Sequence, residues 1–407
     1  MTGINSAIII GGGIAGPLTA LALRKAGIES TLYEAYATTA EGVGGALMMA
    51  PNGLDALRIL GLDSCVCAVA QAMPRMVISD GGGARFGEFG GMPGLPPSQA
   101  VWRSDLYRVL REQTIEAGIP IEFDKRLVDA IDTPTGIIAR FADGSSARGD
   151  VLIGADGIRS RVRTLIDPQA PGPEYTGVLG FGGQTSGKHD STDADAMHFV
   201  FGKRAFLGYW TAPDGRTNWF GSLPHREPMT QRQAREIPAS DWLQVLRKLY
   251  ADDQPGRQLL EDTDADQLIV SGAGEMLPSI PNWHRGRKVL VGDAVHAPSS
   301  SSGQGASLAA ESAIQLAQCL RDLPDMTMAF TAYEQLRRPR VEKIAAAAAK
   351  TNNKKASGPM AKAMMRVLMP IAMKTFFKPE KIFGSSHGYR IDWDEIVSSP
   401  MSQTGQK

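Results

Sequence analysis

Cysteine and histidine are both scarce in this chain of 407 residues, which contains three cysteines and six histidines. Cys65 and Cys67 have a spacing that fits neither a zinc knuckle nor a redox Cys-x-x-Cys pair, so we predict that the cysteines, with Cys319, are buried reduced thiols. The histidines form no His-Glu-x-x-His pattern, and no Gly-x-Ser-x-Gly nucleophile elbow occurs. We therefore expect no metal site and no serine-hydrolase chemistry.

Net charge is also lacking, because 43 lysines and arginines balance 43 aspartates and glutamates. Such a surface has no net field to attract nucleic acid or an acidic membrane, so a small, largely uncharged substrate is the expected partner of a monomer or homodimer. The sequence shows neither a signal-peptide pattern nor an apolar run of membrane-spanning length. We accordingly expect a cytoplasmic protein that does not bind membranes.

Glycine, in contrast, is abundant, with 45 residues in the chain. That share exceeds the roughly 7% of an average protein and indicates many tight turns, or backbone held close to a ligand. The length of the chain favours two or three domains, and hence a cleft between them.

The N-terminal region has the pattern of a dinucleotide-binding unit. An apolar strand over residues 7–10 leads into a helix that ends near Gly27, and a second strand follows, with Glu34 at its end. Between the first strand and the helix lies the fingerprint G-x-G-x-x-G, formed by Gly11, Gly13 and Gly16 with Ile14 and Ala15 between the last two. The pattern predicts a pyrophosphate at the helix N-terminus and ribose hydroxyls bound by Glu34.

The rest of the chain is predicted to form an α/β protein in which a sheet-rich domain is inserted into a Rossmann-like domain. A hairpin is expected around residues 80–83, a helix is expected to be capped by Ser104, and a long helix beginning at Met326 is expected to be interrupted by Pro339. The predicted divisions are the nucleotide-binding domain (1–73, 98–175 and 275–350), the substrate-binding sheet domain (74–97 and 176–274) and a C-terminal helical segment (351–407).

Two further motifs follow predicted buried strands, the stretch from Gly154 to Ser160 around Asp156 and the stretch from Gly292 to His296 around Asp293. Together with the glycine fingerprint they resemble the ordered motifs of the single-component (class A) FAD-dependent aromatic monooxygenases, which include para-hydroxybenzoate hydroxylase and the tetracycline-inactivating enzymes. The resemblance extends over roughly residues 5–350. It implies a single FAD, since no second dinucleotide fingerprint occurs.

The resemblance also implies roles for individual residues. Asp293 would hold ribityl hydroxyls of the flavin, and Arg103 would reach the flavin from the start of its helix. Asp156 would contact both FAD and the passing NAD(P)H, with Arg159 as either a phosphate contact or a solvated charge. The remaining residues that the resemblance places at the cofactor are Gly45, Gly292, Gly303, Gly305 and Ala306.

The helix that begins near Gly303 is expected to turn its free N–H groups towards the flavin ring. Two residues depart from the family here: Ser300 stands where proline is common, and Ser307 stands where asparagine is common. His296 is expected to have a structural rather than a catalytic role.

Substrate-pocket candidates come from the expectation that the inner face of the inserted sheet covers the flavin. They are Gln184, His198, Tyr209 and Asn218, with Ser300 from the loop before the helix, and ordinary packing is the alternative for each. An amphipathic pattern over residues 360–377, with Met364, Leu368, Ala372 and Phe376 on one helical face, favours packing over membrane binding.

The function implied by the resemblance is an NAD(P)H-consuming FAD monooxygenase. It would hydroxylate an aromatic or polyketide-like small molecule with molecular oxygen, through a C4a-hydroperoxyflavin. The alternatives are a halogenase or a prenyl-chain reductase of the same fold, and a non-catalytic flavin-binding regulatory protein. The chain has no Trp-x-Trp-x-Ile-Pro motif, which counts against the halogenase.

Overall fold

The computed structural model describes residues 3–38, 44–188, 193–355 and 379–398. A six-stranded sheet forms its nucleotide-binding part, and five neighbouring strands of this sheet run parallel. From one edge to the other the strands are β18 (His284–Arg285), β19 (Lys288–Leu290), β12 (Val151–Gly154), β1 (Ser6–Ile10), β2 (Glu29–Tyr33) and β8 (Ile121–Glu122). Apolar residues of β1 and β12 are fully buried, as expected for a parallel sheet with both faces covered.

Helices pack against this sheet to form the larger of the hydrophobic cores. The longest buried one begins directly after the loop at Gly303 and has an almost entirely buried central part. The helices are α1 (Ala15–Lys25), α2 (Pro51–Ile59), α3 (Asp63–Ala68), α4 (Arg103–Glu116), α5 (Arg161–Ile166), α9 (Gly305–Asp322) and α10 (Met326–Lys355). The mixed α/β class and the nucleotide-binding architecture predicted from the sequence are confirmed.

Two small antiparallel sheets border the six-stranded sheet. One consists of β3 (Ala46–Met49), β7 (Ser98–Trp102) and β4 (Gln71–Met73), and its central strand leads directly into α4. The other consists of β9 (Leu127–Thr133), β10 (Gly136–Phe141) and β11 (Ser146–Gly149). The first of these sheets connects the nucleotide-binding part to the inserted sheet.

The inserted sheet has seven strands and is mostly antiparallel. Its order is β17 (Leu268–Met276), β13 (Glu174–Lys188), β16 (Arg216–Pro224), β15 (Phe206–Thr211), β14 (Ala196–Phe201), β5 (Arg75–Asp80) and β6 (Arg85–Gly90). The predicted hairpin is confirmed as β5–β6, and it joins the sheet because β5 pairs in parallel with β14. One face is covered by α6 (Gln231–Glu236), α7 (Ala239–Leu249) and α8 (Gly256–Glu261).

The C-terminal part of the described chain lies against the nucleotide-binding helices. Helix α11 (Pro379–His387) is followed by an irregular stretch to residue 398, in which Arg390 pairs with Asp55 of α2 at 2.8 Å. Gln318 of α9 donates its side-chain amide to two carbonyl oxygens of the same stretch. The amphipathic pattern predicted over residues 360–377 lies outside the described residues.

Three local predictions are wrong. Helix α4 begins at Arg103 and has Trp102 as an N-cap without a side-chain hydrogen bond, so Ser104 is not the cap. Helix α10 continues through Pro339 without interruption. Only Cys319 is buried, whereas Cys67 is exposed and Cys65 is half-buried, because the two lie on the short surface helix α3.

Candidate active site

The three motifs meet through glycines that leave no room for a side chain. Gly11 has a φ of +108°, and a Cβ built on it would lie 2.5 Å from the carbonyl oxygen of Ala155, next to Asp156. A Cβ on Gly292 would lie 2.6 Å from the Cβ of Ala15, in the first turn of α1. The glycine loop and the first turn of α1 are therefore in close contact with the two aspartate motifs, as the parts of one site must be.

A second group of glycines faces open space. A Cβ on Gly45, Gly303 or Gly305 would meet no described atom within 4 Å, and one on Gly13 would meet only the Tyr107 hydroxyl, at 3.9 Å. Packing among the described residues does not require glycine at these positions. Backbone without side chains along a cleft lets a dinucleotide approach closely, which fits the FAD chain predicted to lie there.

Two helices begin at this cleft without a side-chain cap. The N-cap of α1 is Ile14 and that of α9 is Gln304, and neither side chain accepts a hydrogen bond from the first turn. Several backbone N–H groups therefore remain unpaired at each helix start. Such groups favour negative charge, so α1 suits the pyrophosphate and α9, from Gly305 and Ala306 onward, suits an anionic flavin ring.

Glu34 lies at the end of β2, beside the glycine loop. Its carboxylate accepts the N–H of Gly12 at 2.6 Å and the N–H of Tyr36 at 3.0 Å. Each carboxylate oxygen can accept a further hydrogen bond. The arrangement fits the predicted contact of Glu34 with ribose hydroxyls.

Arg103 and Asp293 come from different parts of the chain and lie close enough for their charges to interact. The backbone N–H of Arg103 donates to the carbonyl oxygen of Gly45 at 3.2 Å, and the Arg103 side chain packs against Gly44. Asp293 lies in a 3-10 turn just after β19; burial raises the pKa of its carboxyl, and the nearby Arg103 guanidinium opposes that rise. A carboxylate and a guanidinium at one cleft can hold the polar hydroxyls of a ribityl chain.

The Asp156 carboxylate is engaged within its own motif. It accepts hydrogen bonds from Ser160 Oγ at 2.5 Å and from the backbone N–H groups of Arg161 and Val162 at 2.7 and 3.1 Å. These bonds hold the start of α5 against the glycine loop. A direct contact of Asp156 with FAD or NAD(P)H stays a prediction, and Arg159 forms a bidentate ion pair with Glu275 in the structure.

Sequence reasoning missed Arg163, which joins the two aspartate motifs. Its guanidinium donates to the carbonyl oxygen of Ala294 at 2.9 Å and to that of Ile158 at 2.7 Å. Burial lowers the pKa of Arg163 because the charged form loses its hydration. No sequence signal marks this role, because Ala294 lies 131 residues further along the chain.

The start of α9 is fixed by hydrogen bonds from α2. Ser307 Oγ accepts the N–H of Ala50 at 3.1 Å, and Asn52 donates its amide to Gln304 Oε1 at 2.9 Å. Asn52 also donates to the buried Glu311. Ser307 therefore has a structural role at the position where the family commonly has asparagine, while Ser300 lies exposed in a 3-10 turn before the helix.

The side chain of His296 is buried in the protein interior. Its Nε2 lies 2.7 Å from Ser312 Oγ, and its ring packs near Trp283. Burial, and then the charge of Arg337, lower the pKa of His296 to about 3. The imidazole is neutral at physiological pH and has the structural environment expected for it.

The inserted sheet turns one face towards the helices α6 to α8 and the other towards the nucleotide-binding part. Met197 and Trp210 pack against Met73 and Ala100 of the small sheet, which defines the inner face. Gln184, Asn218 and Trp210 are paired across neighbouring strands and share this face.

His198 and Tyr209 lie on the opposite face. They pair across strands and stack with ring centroids 4.4 Å apart, and Tyr209 packs against the core formed with the helices. Side chains alternate along a strand, so residues next to the inner-facing Met197 and Trp210 must point outward. The expectation that His198 and Tyr209 line the inner face is wrong, and only Gln184 and Asn218 are placed there.

The inner face reaches the cofactor cleft through Trp102. Its ring lies 6.0 Å from that of Trp210, and the next residue in the chain is Arg103. The tryptophans were not among the pocket residues predicted from the sequence. Their position at the end of β7, immediately before the predicted flavin-binding arginine, was the available signal.

Comparison with known proteins agrees with this geometry. Residues 5–348 match the family described as FAD binding domain. The chain belongs to the class A FAD-dependent monooxygenases. It is 28% identical over 345 residues to an aurachin C monooxygenase/isomerase of Stigmatella aurantiaca, covering 81% of this chain and 84% of that protein. It is 30% identical over 347 residues to an FAD-dependent urate hydroxylase of Mycolicibacterium vanbaalenii, covering 82% and 84%.

A solved structure of this family has the same fold. The FAD complex of the R204Q variant of HpxO from Klebsiella pneumoniae superposes with a TM-score of 0.82 at 25% identity, covering 94% of this chain and 98% of that one. The family assignment makes the protein an enzyme that binds FAD and consumes NAD(P)H and oxygen. The halogenase, prenyl-reductase and regulatory alternatives are set aside, because the two relatives named above are a monooxygenase/isomerase and a hydroxylase.

The described ranges contain neither a candidate membrane-spanning helix nor a candidate metal site. No helix there is both long and apolar enough to cross a bilayer. In the same part of the chain, no group of three or more histidine, cysteine or acidic side chains is placed to hold a metal ion.

Proposed function

We propose that the enzyme hydroxylates an uncharged, planar aromatic molecule that is held on the inner face of the seven-stranded sheet. The observation that carries this proposal is a row of residues, aligned by the strand register across six strands, without a charged side chain. In order across the sheet the row is Gln184, Asn218, Trp210, Met197, Met76 and Phe89.

The adjacent row on the same face is also uncharged and adds aromatic rings. Phe199 and Phe220 pack against the core shared by the two parts of the protein, with ring centroids 6.4 Å apart. Gly208 lies between them, and a Cβ there would overlap the Phe220 ring. Offset and edge-to-face arrangements of such rings favour a flat aromatic ligand, and these two rows offer a carboxylate no cation.

The polar part of the site is the amide pair of Gln184 and Asn218. Gln184 Nε2 donates to Asn218 Oδ1 at 2.9 Å, and Asn218 is almost fully buried. This bond leaves the Asn218 amide donors and the Gln184 carbonyl oxygen for a ligand. The pair can therefore accept a hydrogen bond from a phenol and donate one to a ketone.

The chemistry is divided between cofactor and protein. Bound FAD, reduced by NAD(P)H, supplies the activated oxygen of the hydroxylation. The residues described here orient the ring by stacking, fix its hydroxyl or carbonyl group with the amide pair, and exclude water from the cleft. The names of the relatives, which refer to aurachin C, urate and aminohydroxybenzoate, support an aromatic substrate.

A paired substrate panel tests the proposal. Purified holoenzyme is given uncharged phenols and 4-quinolones, and the matching compounds that carry a carboxylate. We expect the uncharged members to accelerate NAD(P)H oxidation and oxygen uptake and to gain one oxygen atom by mass spectrometry. Preference for the carboxylates, or no stimulation by any aromatic compound, would contradict the proposal.

A second test addresses the amide pair. Asn218→Ala should raise the KM of the best substrate about tenfold, the cost of one buried hydrogen bond, without changing FAD content. The exposed amide Asn282, which contacts Asp167, provides the control substitution to alanine. An unchanged KM in the Asn218 variant would show that the pair does not hold the substrate.

A further inference from the structure

We propose that the Tyr107 hydroxyl is a hydrogen-bond donor to the pyrophosphate of FAD. Tyr107 lies on α4, four residues after Arg103, and residues with this spacing share one face of a helix. None of the three motifs includes this residue. Its position follows from the structure alone.

The hydroxyl lies above the second glycine of the fingerprint. Its oxygen is 3.9 Å from the point that a Cβ on Gly13 would occupy, and no other described atom comes within 4 Å of that point. In this type of loop the second glycine is where the backbone approaches the pyrophosphate. The phenol therefore borders the space in which the phosphates must pass.

The electrostatic neighbours of Tyr107 place it between the two ends of the cofactor. The pKa of Tyr107 is shifted first by burial and then by the charge of Arg103, and also by the charges of Asp293, the predicted ligand of the ribityl chain, and Glu34, the predicted ribose ligand of the ADP half. In FAD the pyrophosphate connects these two groups. Tyr107 thus lies near the predicted ligands of both halves of the cofactor.

The hydroxyl is suited to donate rather than accept. Burial raises the pKa of Tyr107, so the phenol keeps its proton at neutral pH. Among the described residues none forms a hydrogen bond with this hydroxyl. A neutral donor beside Arg103 binds phosphate oxygens without adding a buried charge to the cleft.

The test is the Tyr107→Phe variant, which keeps the ring and removes only the oxygen. We expect the apoprotein to bind FAD at least about tenfold more weakly, measured by flavin fluorescence during titration, because a hydrogen bond to a charged group is lost. Binding of ADP, which contains the pyrophosphate, should weaken in parallel. Binding of riboflavin, which has no phosphate, should not change.

The matched control is Tyr209→Phe, the same substitution in a half-buried tyrosine on the far side of the inserted sheet. Its FAD affinity should equal that of the unmodified protein. Thermal unfolding of both apoproteins separates a loss of binding from a loss of folding. Unchanged FAD affinity in Tyr107→Phe would overturn the proposal, as would weaker FAD binding with unchanged ADP binding, since the pyrophosphate would then not be the contact.

Discussion

Gly11 and Ala155 are in backbone contact in the predicted cofactor site, where a Cβ on Gly11 would lie only 2.5 Å from the carbonyl oxygen of Ala155. The two residues follow neighbouring parallel strands, and the N–H of Ala155 donates to the carbonyl oxygen of Ile10 at 2.8 Å. The first and second motifs are therefore a single packed unit. A change at Gly11 must displace the second motif as well.

This contact predicts different outcomes for two glycines of the same fingerprint. Gly11→Ala should destabilise the apoprotein by about 3 kcal/mol, because it combines a positive φ with a steric overlap. Gly13→Ala should leave the unfolding free energy nearly unchanged and weaken FAD binding, since its Cβ would point into the cleft. Denaturant unfolding of the apoproteins and flavin titration measure both effects, and equal stability of the two variants would contradict the assignment.

The buried carboxylate of Asp293 is expected to lower the stability of the apoprotein and to strengthen FAD binding. Burial raises the pKa of its carboxyl, so the ionised form destabilises the folded apoprotein at neutral pH. Asp293→Asn should raise the melting temperature of the apoprotein while it weakens FAD binding about tenfold or more, through loss of the ribityl contact. Differential scanning fluorimetry with and without FAD checks both parts. Retained FAD affinity would refute the role of Asp293.

The sequence was sufficient to predict the nucleotide-binding part because its determinants are local. The glycine spacing, the apolar strands and the acidic residues that follow them lie within short stretches such as residues 7–34 and 151–160. The side-chain contacts at the site depend on distant pairs, such as Ser307 with Ala50 and Arg163 with Ala294. No spacing rule relates such residues, so their partners could not be read from the sequence.

The pocket residues were harder to predict because their orientation depends on the face of a strand. Gln184 and Asn218 were placed on the correct face, whereas His198 and Tyr209 were not. A strand with apolar residues on both faces, such as β14, gives no periodic signal that distinguishes the helix-covered face from the inner face. Pairing of Asn218 with the inner-facing Trp210 was needed to assign each side chain to its face.

Arg163 should be important for both folding and cofactor binding. Arg163→Met removes two hydrogen bonds that join the aspartate motifs, and we expect a loss of roughly 2–3 kcal/mol in unfolding free energy, with weaker FAD binding. Arg161→Met is the control, because the side chain of that neighbouring arginine is exposed and donates to surface groups of β9 and α5. Comparable losses in the two variants would show that Arg163 has no special bridging role.

His296 makes the protein sensitive to acid in a defined pH range. Its pKa is about 3 in the folded state and about 6.5 in an unfolded chain, so between these values the unfolded state binds the extra proton and stability falls as the pH decreases. At pH 5 the loss from this residue amounts to roughly 2 kcal/mol relative to pH 8. His296→Gln should flatten the pH dependence of the unfolding free energy between pH 4 and 6.5, although it lowers the stability at pH 8. The same substitution at His225, on the surface loop before α6, should leave the slope unchanged, and an equal slope in His296→Gln would show that the imidazole is not held neutral by burial.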